Sequence, residues 1–242
     1  MSNVKQHGRI GLCCFFIKEK DMNILFIGNS YTYYNELWNV FQKVAESAGY
    51  SVTVEHVCRG GYYLDQFLDL NDPAAVEVAE KLDQNKYDYV CMQEQSANPI
   101  LNYKRFANGA GKLHEKIQQN GAKAFFYQTW GRKTGSELLA EHGWTNQSMT
   151  EGLKEAYVRM GKTLDIPVSP VGSAFYAVYT NYPEIELYDP DKTHPALAGT
   201  YLAALCHFST LMGEDPMIVT YDAGLGEDVA SILKKAAKEV CL

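Results

Sequence analysis

Residues 24-ILFIGNSYTYYNEL-37 join two patterns that belong to different kinds of secondary structure. A short apolar run stops at Gly28-Asn29-Ser30, which predicts a buried strand that ends in a turn. An aromatic-rich helical pattern follows at once. The stretch leaves three interpretations of Ser30 open: part of a simple turn, part of a loop that cradles a phosphate, or a nucleophile held at the edge of a sheet.

The alternation of strand-like and helix-like patterns continues along the chain. Strand patterns cover residues 23–28, 51–57, 87–93, 122–130 and 165–172. Helix-period segments cover about 33–48, 73–84, 103–120, 147–163, 196–212 and 226–240. Strands that alternate with helices predict βαβ crossovers and a mostly parallel sheet with helices on both faces. Residues 131–147 show no periodicity, and a loop of that length is often a lid or a pocket wall.

Composition narrows the range of partners. The chain has 242 residues with 46% hydrophobic content, which suits one α/β domain with a good core. Its net charge of -7 and its pI of about 5.4 argue against a nucleic-acid partner, because binding to the phosphate backbone needs clustered Lys and Arg. The apolar run at residues 10–17 is too short to span a bilayer, so we expect no membrane partner.

The N-terminal residues and the cysteines suggest a simple organisation. We interpret residues 1–21 as an extension, because Met22 directly precedes the first good strand pattern, and we expect one domain over residues 22–242. The six cysteines form no CxxC pair, and none has a His partner at zinc spacing. We therefore expect buried free thiols, no metal site and a reducing, cytoplasmic location.

Small and polar residues follow every predicted strand. In an open parallel sheet, ligands bind beyond the carboxyl ends of the strands. The segments at those ends are Gly28-Asn29-Ser30, Arg59-Gly60-Gly61, 93-QEQS-96, Thr129-Trp130 and, one connection later, 188-YDPDKTHP-195. We therefore expect these groups to converge at one edge of the sheet.

Two of these segments carry the residue types of nucleophilic catalysis. Ser30 at a helix N-terminus can attack a carbonyl while its own N–H holds the oxyanion, although Ser also caps helices very often. Asp191 lies three residues before His194, so a turn can bring its carboxylate to one imidazole nitrogen and leave the other as a general base. An ordinary surface turn is the alternative interpretation of this pair.

Two other segments can supply hydrogen-bond donors. Gly60-Gly61 lets the backbone approach a ligand and offer an N–H, or it forms a tight turn. Gln95 can donate through its side-chain amide, or it lies on the surface. Taken as an ordered set along the chain, Ser30, Gly61, Gln95 and the DxxHP motif at residues 191–195 favour the catalytic interpretation.

This ordered set resembles the SGNH hydrolases, also called GDSL-type esterases, over residues 22–212. The family's Gly-Asp-Ser block stands here as Gly28-Asn29-Ser30, its second-block glycine matches Gly61, and its Asp-x-x-His block is intact as 191-DKTH-194. The segment 93-QEQS-96 replaces Gly-x-Asn-Asp and is similar to the Q-G-E-[ST]-N-type block of carbohydrate acetylesterases in the same superfamily. Further phrases resemble a bacterial branch of it: 127-YQTW-130, 170-PVGSAF-175 and 194-HPALAGTYLAA-204.

The resemblance implies a fold and a set of roles. The fold is a three-layer α/β/α sandwich with a five-stranded, mostly parallel sheet in flavodoxin-like strand order. Ser30 would be the nucleophile, His194 the base and Asp191 its orienter, and the oxyanion hole would consist of the Ser30 and Gly61 N–H groups and the Gln95 side chain. Asn29 departs from the family's Asp, and Gln95 departs from its Asn.

The activity that the resemblance implies is hydrolysis of acetyl or other short-chain O-acyl esters, on a small molecule or a carbohydrate, with no cofactor. Aromatic residues at the strand ends predict pocket walls formed by Tyr31, Tyr62 and Trp130. Two alternatives remain open. In one, residues 28–32 bind a flavin phosphate as in flavodoxin-like proteins; in the other, the chain is a catalytically silent, sugar-binding relative.

Overall fold

The computed structural model describes residues 18–242, and these contain a five-stranded sheet. The strands are β1 (Lys18–Gly28), β2 (Tyr50–Cys58), β3 (Tyr89–Met92), β4 (Lys123–Tyr127) and β5 (Val168–Ser169). They lie in the order β2-β1-β3-β4-β5, and every neighbouring pair is parallel. The predicted α/β fold with flavodoxin-like strand order is confirmed.

Helices connect and flank these strands. Three are short: α1 (Ser30–Tyr33), α4 (Asn98–Leu101) and α6 (Glu137–His142). The longer helices are α2 (Leu37–Ser47), α3 (Pro73–Gln84), α5 (Tyr103–Asn120), α7 (Asn146–Leu164), α8 (Val171–Asn181), α9 (Leu197–Met212) and α10 (Glu227–Cys241). Short 3-10 helices occur at Tyr34–Glu36, Leu64–Leu68 and Pro216–Ile218.

Successive residues of β1 face two different helix layers, because side chains alternate between the two faces of a sheet. Ile24 and Phe26 pack in the core that the sheet shares with α2, α8, α9 and α10. Leu25 and Ile27 pack in the core against α3, α5 and α7. All four side chains are fully buried. A central strand covered on both faces explains why this part of the sequence is continuously apolar.

The first strand begins earlier than the sequence pattern indicates. Lys18 pairs with Tyr50, and Met22 pairs with Val52. Residues 18–21, which the pattern assigns to an N-terminal extension, therefore continue β1. The rest of that predicted extension, residues 1–17 with Cys13 and Cys14, lies outside the described residues.

The strand predicted over residues 165–172 is shorter than expected, and a helix was missed after it. β5 contains Val168 and Ser169, which pair with Phe126 and Tyr127. Helix α8 then begins at Val171. The start of α8 packs directly on the backbone that follows β4. Helix α6 likewise occupies part of the segment 131–147, for which no periodicity was found.

The cysteines of the described residues are free. Cys58, Cys91 and Cys206 are buried and Cys241 is partly buried, which confirms the prediction of free thiols for these four. Among residues 18–242, no helix combines the length and the apolar character needed to cross a membrane.

Gly172→Ala is expected to destabilise the protein. A Cβ added to Gly172 would lie 2.1 Å from the backbone carbonyl oxygen of Thr129, which cannot turn aside. Overpacking of this kind costs about 1–3 kcal/mol, so the urea midpoint of unfolding should fall.

Gly111→Ala is the matched control, because a Cβ at Gly111 in α5 meets nothing within 4 Å. Helix propensity should make this variant about 0.5–1 kcal/mol more stable than the wild type. Equal unfolding midpoints for Gly111→Ala and Gly172→Ala would contradict the packing described for the start of α8.

Candidate active site

The end of β1 places Ser30 at the carboxyl edge of the sheet. β1 ends at Gly28, Asn29 caps the next helix, and Ser30 is the first helical residue. A side chain at position 28 is excluded, because an added Cβ would lie 2.6 Å from oxygens of both Gln93 and Thr32. As the first residue of α1, Ser30 has a backbone N–H with no acceptor inside the helix.

The turn before α9 brings a histidine and an aspartate to Ser30. His194 Nε2 lies 2.8 Å from Ser30 Oγ. His194 Nδ1 contacts Asp191 Oδ2, and Asp191 Oδ1 accepts the backbone N–H groups of Thr193 and His194, each at 2.9 Å. Carboxylate, imidazole and hydroxyl therefore form one hydrogen-bonded chain, although 164 positions separate Ser30 from His194.

The surroundings of His194 fix both its orientation and its tautomer. Partial burial by itself raises the pKa of Asp191, but hydrogen bonds from the His194 ring and from the N–H groups of His194 and Thr193 bring that pKa below its ordinary value. An ionised Asp191 favours a proton on Nδ1 and leaves Nε2 as an acceptor. Tyr34 stacks on the imidazole, with ring centroids 4.1 Å apart and ring planes 8° from parallel.

A cleft of about 290 Å³ opens beside Ser30. Its lining includes the three sequence-predicted oxyanion donors together with the imidazole: Ser30, Gly61, Gln95 and His194. Gly61 has a φ of 72°, in the left-handed region that favours glycine. The structure thus brings together turns that follow β1, β2 and β3. No group of three or more His, Cys, Asp or Glu within the described residues could hold a metal ion.

The Gln95 side chain is oriented by the loop that carries it. Its Oε1 accepts the N–H groups of Ala97 and Asn98, at 3.0 and 3.1 Å. Its Nε2 makes a single long contact of 3.3 Å with Ser96 Oγ among the described residues. Because the amide oxygen is already occupied, the NH₂ group is the end of Gln95 that can serve a ligand in the cleft.

Asn29 joins three loops through hydrogen bonds that the sequence did not reveal. Its Oδ1 accepts the Tyr31 N–H at 3.2 Å and Gln93 Nε2 at 2.8 Å, and its Nδ2 donates to the Tyr62 carbonyl at 2.9 Å. Gln93 Oε1 in turn accepts the Asn29 N–H at 2.8 Å. An ionised carboxylate at this position would have no donor for Tyr62. Asn29, in place of the family's Asp, therefore supplies the hydrogen bond that joins the Ser30 turn to the loop that contains Gly61.

Glu94 also has a role that the sequence did not reveal. It is fully buried, and it accepts the Gln95 N–H at 2.6 Å and the Leu64 N–H at 3.3 Å. Burial raises its pKa to about 7, although these backbone N–H groups lower it. Its carboxyl joins the 93–96 turn to the chain that follows Gly61. The sequence signal that could have indicated this role is a charged residue directly after an apolar strand.

The three predicted pocket aromatics lie in different places. Tyr31 borders the cleft, with 2% of its surface exposed. Trp130 is wholly buried between Tyr31 and Phe175, with ring centroids 4.1 Å from each. Tyr62 donates its hydroxyl to Asp72 at 2.7 Å. Neither Trp130 nor Tyr62 lines the cleft, which corrects the prediction. The Trp130 ring buries more apolar surface in the stack than it would at a pocket wall.

In the turn after β1, the Ser30 N–H is the one backbone donor without a partner among the described residues, where a phosphate-binding loop has several. The N–H groups of Asn29 and Tyr31 donate to side-chain oxygens, and those of Thr32 and Tyr33 donate to the Asn29 carbonyl. A phosphate cradle needs several unpaired N–H groups aimed at one ligand. The flavodoxin-like alternative therefore has no binding loop at this position.

Comparison with solved structures finds clear likenesses, whereas no protein-family model and no curated protein matches the chain. A protein from Slackia heliotrinireducens, described as an SGNH hydrolase, is 27% identical with a TM-score of 0.72, over 79% of this chain and 100% of that one. A DUF4886 family protein from Bacteroides uniformis is 17% identical with a TM-score of 0.78, over 91% of this chain and 95% of that one. An acetyl xylan esterase is 14% identical with a TM-score of 0.59, over 78% of this chain and 100% of that one.

The likeness at 27% identity confirms the resemblance to the SGNH hydrolase superfamily that the sequence motifs indicated. The two comparisons below 20% identity show the fold. The neighbour from Slackia heliotrinireducens, at 27% identity, supports hydrolase activity for the chain.

Asn29→Asp is expected to destabilise the protein at neutral and higher pH. The new carboxylate would be buried opposite the Tyr62 carbonyl, and a buried group left without its partner costs about 1–3 kcal/mol. Burial raises the pKa of such a carboxyl above its unfolded value. The penalty should therefore grow as pH rises through the folded pKa and vanish below the unfolded pKa, as urea unfolding between pH 4 and about 8 would show.

Asn102→Asp is the matched control. Asn102 is the exposed N-cap of α5 and accepts the Arg105 N–H, a hydrogen bond that an Asp keeps. Its free energy of unfolding should stay within about 0.5 kcal/mol of the wild type at each pH. If Asn29→Asp lost no more stability than this control, the amide donor of Asn29 would not be needed.

Proposed function

We propose that this chain, which has the fold of the SGNH hydrolases, is a serine esterase that cleaves O-acyl esters through an acyl-enzyme. The observation that carries the proposal is the hydrogen-bonded chain from Asp191 through His194 to Ser30, closed by the 2.8 Å contact between His194 Nε2 and Ser30 Oγ. A nucleophile, a base within hydrogen-bond reach and a group that orients the base are the parts that nucleophilic catalysis requires.

The proposed reaction has two halves. Ser30 Oγ attacks the ester carbonyl carbon while His194 Nε2 takes its proton; the bond to the alcohol then breaks, and His194 protonates the leaving alcohol. A water molecule next gives a proton to His194 and attacks the acyl-enzyme, and Ser30 recovers the proton as the acid leaves. Asp191 stays ionised and stabilises the imidazolium in both halves. Each of these roles falls to a side chain of the protein, so we propose no cofactor.

The tetrahedral intermediates of this reaction need donors for the developing oxyanion. We assign that role to the backbone N–H groups of Ser30 and Gly61 and to the Gln95 amide, which share the lining of the cleft. Fixed donors of this kind need no reorganisation as the charge forms. The capping bonds to Gln95 Oε1 and the hydrogen bonds of Asn29 supply the required rigidity.

The size and lining of the cleft support a small acyl group. Its volume of about 290 Å³ lies at the lower end of ligand pockets, which span roughly 300–1,000 Å³. Tyr33 lines the cleft and is 39% exposed, so part of an aromatic side chain is accessible at the cleft. We therefore propose acetyl or other short acyl esters, with a carbohydrate as the alcohol.

Ser30→Ala should abolish hydrolysis of 4-nitrophenyl acetate and covalent labelling by a fluorophosphonate probe, because both need the Ser30 hydroxyl. Ser51→Ala, at the amino end of β2 and away from the cleft, is the matched control and should keep both. Wild-type hydrolysis by Ser30→Ala would refute the proposal. Glycan binding by a wild-type protein that is neither labelled nor active would favour the catalytically silent alternative.

Gln95→Ala should lower kcat by about 10²–10³ and leave fluorophosphonate labelling detectable, because a single oxyanion donor is worth about that much. Gln95→Glu distinguishes hydrogen-bond donation to the oxyanion from the structural role of the Gln95 oxygen. A glutamate keeps the oxygen that accepts the N–H groups of Ala97 and Asn98 but has no NH₂. We expect Gln95→Glu to be at least as impaired as Gln95→Ala in steady-state kinetics. Activity in Gln95→Glu near that of the wild type would show that Gln95 acts as a cap alone.

A further inference from the structure

The cleft beside Ser30 contains a cation that has no anionic partner in the described part of the chain. Arg132, which follows β4, lines the cleft together with Ser30 and His194. Its guanidinium forms no ion pair with any carboxylate of the described residues. By contrast, Arg105 makes a two-pronged ion pair with Asp65, with nitrogen–oxygen distances of 2.8 and 2.9 Å.

The Arg132 guanidinium is also short of neutral partners. One terminal nitrogen donates to Ser96 Oγ at 3.2 Å. The Nε is buried and has no hydrogen-bond acceptor among residues 18–242; the Tyr31 hydroxyl, which is also unpaired there, interacts with the same side chain. Buried polar groups nearly always have a partner in native proteins, so a guanidinium that lines the cleft and donates to one neutral acceptor, Ser96 Oγ, has capacity for an acceptor that is not part of the chain.

The backbone that carries Arg132 is held firmly. Asn146, at the start of α7, donates its Nδ2 to the carbonyls of both Gly131 and Arg132 at 2.9 Å. The Gly131 N–H donates to Thr150 Oγ1 at 3.2 Å. Gly131 also packs so closely on α7 that an added Cβ would lie 2.3 Å from the Asn146 carbonyl oxygen. The arginine therefore extends from a fixed point at the cleft.

We propose that Arg132 binds an anionic group of the substrate, so that the substrates are esters with a carboxylate or similar oxyanion close to the ester bond. The inference rests on the proposed function and narrows its substrate class. The planar fork of a guanidinium matches a carboxylate with two parallel hydrogen bonds. In a chain with a net charge of -7, a local cation is also what an anionic substrate requires.

Two matched pairs of esters test the inference. The pair 4-nitrophenyl hydrogen succinate and 4-nitrophenyl butyrate places the anion on the acyl side, and the pair 4-acetoxybenzoate and 4-acetoxybenzamide places it on the alcohol side. Arg132→Gln should lower kcat/KM about 10- to 100-fold for the anionic member of at least one pair, and change the neutral member less than about threefold. Equal effects on the anionic and neutral members of both pairs would overturn the inference.

Two further variants distinguish an effect of the charge at Arg132 from an effect of the net charge of the protein. Arg132→Lys keeps the charge but loses the fork, so its loss on the anionic ester should lie between those of wild type and Arg132→Gln. Arg159→Gln makes the same change of charge on α7, where the guanidinium lies over the Tyr103 ring, and should leave all four esters unaffected. A loss by Arg159→Gln equal to that of Arg132→Gln would indicate an effect of net charge and would also overturn the inference.

Binding to the Ser30→Ala protein separates this inference from the esterase proposal. Calorimetric titration with 4-acetoxybenzoate and with 4-nitrophenyl hydrogen succinate should show affinity for at least one of them that falls about 10-fold or more when Arg132→Gln is added. If that holds but the wild type hydrolyses no ester, the esterase proposal fails and the anion site stands. If Ser30-dependent hydrolysis occurs without any binding that depends on Arg132, the anion site fails alone.

Discussion

Two buried amides, those of Asn29 and Gln93, hold the candidate site together. They exchange hydrogen bonds between the turn after β1 and the end of β3, and Asn29 reaches on to the Tyr62 carbonyl in the loop after β2. Parallel pairing brings the ends of these strands to one edge, but it does not fix the loops that follow. An amide both donates and accepts, so it can bridge a carbonyl on one side and an N–H on the other. Away from water each unmade bond is costly, and the three loops are therefore held in one arrangement.

The charged side chains of the site lie around the uncharged amides of Asn29 and Gln93. Asp191 lies beyond His194, and Glu94 lies beneath the Gln95 turn, where burial raises its pKa to about 7. Asn29, next to Ser30, is uncharged. A neutral neighbour adds no negative charge where an oxyanion would form, so the amide serves both the geometry of the loops and the electrostatics of the proposed reaction.

The strands and all the longer helices except α8 could be predicted because their signals are local. α3, for example, begins where Asp72 caps the helix and Pro73 takes its first position, and both signals lie within two residues. The Gly28-Asn29-Ser30 turn and the 191-DKTH-194 motif are likewise each recognisable within a few residues. The rest depends on distant contacts. Trp130 enters the core because aromatic rings stack on both of its faces, and Asn29 has its role because a carbonyl 33 positions away needs a donor. No pattern within a window of sequence contains that information.

Two of the polar groups that the fold leaves short of partners lie in the cleft. Arg132 Nε has no acceptor among the described residues, and Gln95 Nε2 has one long contact. The backbone beneath each is nevertheless fixed, by the Asn146 amide in one case and by the Glu94 carboxyl in the other. Fixed donors without acceptors lower the stability of the free protein, but they lose little freedom when a ligand arrives. Under the proposed esterase function and the proposed anion site, the cleft would bind a ligand with two acceptors, a carbonyl oxygen beside Ser30 and an anion beside Arg132.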